Sequence, residues 1–136
     1  MSLPFFVYGT LLPGEANHDL FLRGRTRAAE PGRLNGAVLY AGPGFPYAVE
    51  ERGGVVHGAL VTARPREYEE LLTDLDRLEE YAPGDPRNLY ERVGREVRRA
   101  GGGPPVRAWV YLAAPAVAAR LRARGELIDG GDWRLR

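Results

Sequence analysis

Short apolar runs separated by glycine and proline fill most of this chain, and one longer segment carries a clear helical period. Over Pro65–Tyr81 (PREYEELLTDLDRLEEY), residues Tyr68, Leu71, Leu72, Leu75 and Leu78 follow the i, i+3, i+4, i+7 spacing of a helix face turned to a core. The short runs predict strands at Phe5–Tyr8, Leu34–Tyr40, Tyr47–Glu50, Val55–Thr62, Tyr90–Arg98 and Val106–Leu112. In the last of these Val106, Ala108, Val110 and Leu112 share one face and Arg107, Trp109 and Tyr111 the other. Breakers punctuate the series: Pro13-Gly14, the Gly42–Pro46 loop, a Gly53-Gly54 turn, the polar Ala82–Asn88 loop and the Gly101–Pro105 turn. Ala16–Leu22 predicts a short helix or an extended arm, Pro115–Arg124 a second helix, and Gly125–Arg136 an irregular tail. Several strands with one main helix predict a single α+β domain over residues 1–136. Its sheet would be antiparallel or mixed and curled, a small barrel being the closed form of that curl.

One carboxylate breaks the apolar helix face. At about 100° per residue, Glu79 falls near the middle of the stripe, one turn after Leu75, while Glu69, Glu70 and Glu80 project away from it and Asp76 lies at its edge. An acid facing the core at a helix C-terminus is desolvated and close to the negative end of the helix dipole. Both effects disfavour the carboxylate and raise its pKa, as a general acid/base working near neutral pH requires. The pattern alone also fits a solvated helix end or one half of an ion pair.

Composition narrows the chemistry. The chain has no cysteine, and all 19 of its basic residues are arginine, which removes thiol nucleophiles, zinc–thiolate sites and lysine Schiff bases together. The only serine is Ser2, and the two histidines, His18 and His57, have no metal-ligand spacing. The expectation is cofactor-free, metal-free chemistry carried by a carboxylate, backbone amides, Tyr, Thr and Arg. Gly42-Pro43-Gly44 does not complete a dinucleotide fingerprint. No apolar stretch approaches the ~20 residues of a membrane span, and the start MSLPFFVYGTLLPGE lacks a basic leader region, so the expected location is the cytoplasm. The formal net charge is +1, yet residues 87–124 hold nine arginines against Glu91 and Glu96 alone. Such a half suits either solvated strand and helix faces or an anionic partner; the alternating Arg/Glu order and near-neutral total argue against nucleic acid.

Tyr8-Gly9-Thr10-Leu11 follows directly on the first strand. Glycine there permits close backbone approach, and amides leaving a strand can form an anion-binding nest, with the Thr10 hydroxyl as an added donor. The same residues also suit a simple strand-to-turn transition.

The run Phe6–Leu11, followed by Pro13-Gly14 and Asn17, resembles the N-terminal signature of the γ-glutamylcyclotransferase-like superfamily, which includes AIG2-like proteins, γ-glutamylamine cyclotransferases and BtrG-type enzymes. Leu75-Asp76-Arg77-Leu78-Glu79-Glu80-Tyr81, then Tyr90-Glu91-Arg92, is similar to that family's LDxxEG…YxR element. Gly44–Tyr47, Val56–Leu60 and Trp109–Tyr111 match in order and rough spacing, so the resemblance runs over essentially the whole chain. It implies a small mixed β-barrel flanked by helices. It also implies the conversion of a γ-glutamyl group to 5-oxoproline with release of an amine, without cofactor, on a small-molecule γ-glutamyl substrate. The family's catalytic glutamate falls on Glu79, its substrate loop on Tyr8, Gly9, Thr10 and Leu11, and a pocket tyrosine on Tyr111, with Tyr90 as second choice. One departure stands out: the family often has glycine after the catalytic glutamate, where this chain has Glu80. A second reading is a non-catalytic member of the fold that binds or senses a γ-glutamyl-like metabolite. The leaving amine and the oligomeric state stay open.

Overall fold

The computed structural model describes residues 2–136. Its elements in chain order are β1 (Phe5–Val7), α1 (His18–Phe21), β2 (Thr26–Ala41), β3 (Pro46–Ala63), α2 (Tyr68–Leu78), β4 (Tyr90–Arg99), β5 (Val106–Ala113), α3 (Pro115–Arg124) and β6 (Leu127–Ile128). The sheet runs β3-β1-β5-β4-β2-β6, and β2 also pairs with β3. Five strands thereby close into a ring, with β6 appended to β2. Among the described residues only the β1–β5 seam is parallel, through Phe5 opposite Trp109, so the barrel is mixed.

Strand length is where the structure departs from the sequence pattern. Leu34–Tyr40 is the inner part of a sixteen-residue β2, and the two strands expected at Tyr47–Glu50 and Val55–Thr62 are one eighteen-residue β3. The register passes from Asn35↔Val55 to Ala37↔Glu50, leaving residues 51–54 opposite Gly36 alone. Gly53-Gly54 is therefore an insertion within a strand rather than a turn between strands, and such insertions bend and twist a sheet. Gly53 has φ +85°, and a Cβ on Gly54 would run into the Ala37 carbonyl oxygen. Ala41 pairs with Pro46 across the Gly42–Phe45 loop, as the breakers predict.

The core fills the barrel and the space beneath α2. Phe5, Phe6, Leu39, Val49, Val56, Val61, Val97 and Val110 are fully buried from the strands, and Leu71 and Leu75 from the helix. Each such side chain contributes roughly 1.5–3 kcal/mol of transfer free energy. The expected helix Pro65–Tyr81 is shorter than its pattern: Pro65–Glu67 is a 3-10 turn and α2 ends at Leu78, with Glu79 as its cap. Ala16–Leu22 resolves into the single turn of α1, and Pro115–Arg124 is helical over its full expected length. The tail expected to be irregular contains β6 and two 3-10 turns. Its Trp133 is buried and donates Nε1–H to Glu15 Oε1 at 3.0 Å, tying the C-terminal segment to the loop that follows β1.

Candidate active site

The helix C-terminus places Glu79. Its amide donates to Leu75 O at 3.0 Å, the Glu80 amide to Arg77 O at 3.1 Å and the Tyr81 amide to Asp76 O at 2.8 Å. The last two form the paired closure in which the residue after the cap adopts left-handed backbone. Glu80 has φ +52°, the one positive value among the described non-glycine residues. This explains the glycine common there in the resembling family, and it turns the Glu80 side chain outward, where it is exposed. Exposed as it is, Glu80 still borders the cavity that Glu79 lines.

Two polar rivets hold α2 against the barrel. Trp109 and Tyr111 alternate onto the β5 face that meets the helix. Trp109 Nε1–H donates to the Tyr68 hydroxyl at 3.1 Å, and Tyr68 donates to Leu3 O at 2.9 Å. One helical turn before Glu79, Asp76 Oδ1 accepts from the Tyr111 hydroxyl at 2.6 Å and from Arg92 Nε at 2.8 Å. The Arg92 guanidinium lies 4.3 Å from the Trp109 ring centroid and 5.5 Å from that of Tyr81, a cation–π arrangement that fixes the arginine as well as the acid.

Glu79 lines a cavity of about 400 Å³ together with Tyr8, Gly9, Thr10, Leu11 and Tyr111. The six residues of first choice and Tyr90, the second choice, all line this one concavity. Burial raises the Glu79 pKa from 4.5 to about 7, with no hydrogen bond or counter-ion offsetting it. Tyr8, Tyr90 and Tyr111 are also pushed upward, first by burial, then in Tyr8 and Tyr90 by neighbouring negative or phenolic groups and in Tyr111 by its bond to Asp76. These phenols are neutral at any working pH. Glu79 is left as the cavity group poised to exchange a proton near neutrality.

The loop after β1 is the complementary half. Its carbonyls are consumed internally: Gly9 O accepts from Leu12 N at 3.0 Å, Thr10 O from Asn17 N at 2.9 Å, and Leu11 O lies 2.9 Å from His18 Nδ1. Among the described residues, the amides of Gly9, Thr10 and Leu11 have no hydrogen-bond acceptor. Consecutive N–H groups without a protein acceptor are the kind of donors that backbone anion nests use. Gly9 is required by packing, since a Cβ there would stand 2.8 Å from Pro46 Cδ. Phe45 of the β2–β3 loop and Pro46, the first residue of β3, line the cavity beside Gly9, with Tyr90 donating to Pro46 O at 2.8 Å and stacking on Tyr47 at 4.9 Å.

The two expected tyrosines line the cavity differently from a free phenol. Tyr8 donates its hydroxyl to the Tyr111 carbonyl, and Tyr111 donates to Asp76; both present ring and backbone. Residues without a local chemical signal also line the site, namely Asn17, Phe45, Pro46, Leu78 and Leu89. Asn17, Phe45 and Pro46 stand in the motif stretches and could have been taken from them; Leu89 is apolar wall that only the fold brings in. Among the described residues, no three His, Cys, Asp or Glu side chains converge as a metal set, and no helix is long and apolar enough to cross a membrane.

Residues 5–135 match the family model described as gamma-glutamyl cyclotransferase, AIG2-like. A gamma-L-glutamyl-butirosin B gamma-glutamyl cyclotransferase of Niallia circulans is 37% identical over 99 residues, which are 71% of this chain and 59% of that enzyme. The chain thus spans less than two thirds of that relative's length. An AIG2-like protein of Mus musculus superposes with a TM-score of 0.64 at 26% identity, covering 84% of this chain and 80% of its own. A solution structure from Arabidopsis thaliana gives 0.69 at 28%, covering 99% of this chain and 74% of its own. Motif order, mixed barrel and family match agree, and the chain belongs to the AIG2-like γ-glutamyl cyclotransferase family.

Proposed function

We propose that this protein cyclises a γ-glutamyl group to 5-oxoproline and releases the attached amine, with Glu79 as general acid/base. The observation that carries the reading is the pairing, in one cavity, of a half-buried, uncompensated acid with three backbone amides that lack a protein acceptor. The amides of Gly9–Leu11 hold the substrate α-carboxylate, assisted by the Thr10 hydroxyl. That grip directs the α-nitrogen inward, toward its own γ-carbonyl.

The ring-forming nitrogen enters as an ammonium with three protons and leaves as a lactam N–H with one. Two protons therefore travel to the departing nitrogen, which enters as an amide N–H and leaves as an ammonium. Glu79, with a pKa of about 7, takes the first as carboxylate, so that the free amine attacks the γ-carbonyl carbon. It gives that proton to the departing nitrogen as the old C–N bond breaks and relays the second in the same way. No side-chain nucleophile is needed, because the substrate supplies one. Oriented intramolecular attack of this kind reaches effective molarities on the order of 10⁵–10⁸ M.

A mass-spectrometric screen of γ-glutamyl compounds for 5-oxoproline release tests the reading. Glu79→Gln is expected to retain fold and binding while turnover drops by about a thousandfold, within the range of general acid–base contributions. Release at the parent rate by Glu79→Gln would refute the assignment of Glu79. Saturable binding of γ-glutamyl compounds by the parent protein without 5-oxoproline would favour the non-catalytic reading.

A further inference from the structure

The Thr10 hydroxyl is not free to point as it likes. Asn17 Nδ2 donates to Thr10 Oγ1 at 2.9 Å, and the Asn17 amide donates to Thr10 O at 2.9 Å. Asn17 therefore grips Thr10 at the side chain and the main chain together. Both residues are half-buried and both line the cavity.

A threonine hydroxyl has one proton and two lone pairs. With a lone pair occupied by an amide N–H, the proton is directed away from Asn17. No protein acceptor takes it among the described residues. The neighbouring main-chain donors of Gly9, Thr10 and Leu11 are likewise without acceptors, so the hydroxyl joins a set of donors that all await an anionic oxygen.

Asn17 is well placed for this and is not otherwise occupied. It precedes α1 as its N-cap residue but makes no side-chain capping bond, the task usual for asparagine at that position. Its side chain is spent on Thr10 instead. Chemistry also selects the residue type: an acid in the same place would accept the Thr10 proton and add a negative charge beside the anion.

We propose that Asn17 is a positioning residue that polarises the Thr10 hydroxyl, making it a fixed donor to the substrate carboxylate and selecting an anionic group at that end of the ligand. This inference rests on the function proposed above, and it concerns binding rather than proton transfer.

The test uses 5-oxoproline itself, the product common to every leaving amine, titrated into the full chain by calorimetry. Asn17→Ala is expected to weaken binding about fivefold, the worth of one neutral hydrogen bond. In a Thr10→Val background the same change should have no effect, because the hydroxyl through which Asn17 acts is gone. In Thr10→Ser, which keeps the hydroxyl, the fivefold dependence should return. A purely structural role would instead give the same loss in all three backgrounds, and that result overturns the inference, as does unchanged binding in Asn17→Ala. Amide NMR spectra of each variant establish that the fold is retained; should Asn17→Ala not fold, Asn17→Asp, which is an equally good cap residue, replaces it, with at least a tenfold loss expected in the parent background and parent-like binding overturning the proposal. Failure of the parent protein itself to bind 5-oxoproline strikes the functional reading, and this inference with it, and is told apart from the other outcomes by the parent titration alone.

Discussion

Glu79 is an acid whose neutral form the fold prefers, and that preference has a thermodynamic signature separate from catalysis. Its folded pKa is about 7 against 4.5 for a fully solvated glutamate, so the unfolded chain loses its proton first as pH rises. The folded state keeps its full share of stability from this group below about pH 4.5, loses it progressively up to about pH 7, and stays at the lower level above that. A shift of this size corresponds to about 3 kcal/mol. Glu79→Gln carries no such titration. The variant is therefore expected to be more stable than the parent by a few kcal/mol at pH 8, with the advantage vanishing near pH 4, as denaturant titrations at the two pH values would measure. Equal stability differences at both would mean that the carboxyl is solvated. The position of this residue was legible because helical periodicity is local: Leu75 and Tyr68 determine the azimuth of Glu79 whatever the rest of the chain does. The engagements of Tyr8, Tyr111 and Asn17 were not legible, because each depends on a partner whose position is set by the fold or by loop geometry rather than by local period.

At the level of elements, α2 ends in a conformation its sequence does not favour. Left-handed backbone costs an L-residue roughly 1–2 kcal/mol, and Glu80 bears that cost at φ +52° while its side chain remains exposed. Glu80→Gly is expected to raise stability by about 1 kcal/mol, part of the relief being offset by the greater freedom of glycine in the unfolded chain. Thermal unfolding would register this as a higher midpoint, and an unchanged or lower one would show that the cap is not strained. The helix continues on pattern to Tyr81 but stops at Leu78 because a closing motif, invisible to periodicity, takes over the last carbonyls. The long β3 failed to declare itself for a related reason. Gly53-Gly54 has turn chemistry, and only the strand opposite turns it into an insertion within one element. Asp76 is the opposite case, an edge position on the helix that becomes a rivet once β4 and β5 are in place. Arg92→Leu would strand the Asp76 carboxylate, whose side chain is 21% exposed, and should destabilise by about 2–3 kcal/mol, since removing one partner leaves a poorly solvated charge.

For the molecule as a whole, the decisive feature is closure, and closure rests on thin seams. β2 and β3 pair along fourteen positions, and β4 and β5 along eight, whereas β1 meets β5 through one registered pair and β2 meets β4 through two. Hairpins of neighbouring strands can be anticipated from turns and alternation; seams between strands distant in sequence depend on register, which no local pattern carries. One of these seams contains an evident conflict. Arg33 lies opposite Arg98, and His57 lies opposite Arg33 on the other side, so cationic or titratable side chains line up across three strands on one face. Like charges directly opposite one another are destabilising. Arg98 is exposed, which allows its charge to be reversed without disturbing the core. Arg98→Glu would convert the Arg33 contact into an attraction and should strengthen the β2–β4 seam by about 0.5–1 kcal/mol at low ionic strength. The gain should fade toward 1 M salt, where the screening length is about 3 Å. Hydrogen exchange at Gly32, Arg33 and Arg98 should slow with it if the seam opens as a local unit. A stability gain that ignores salt would point to a change in propensity instead, and no gain at any salt would mean that the two arginines already turn away from each other.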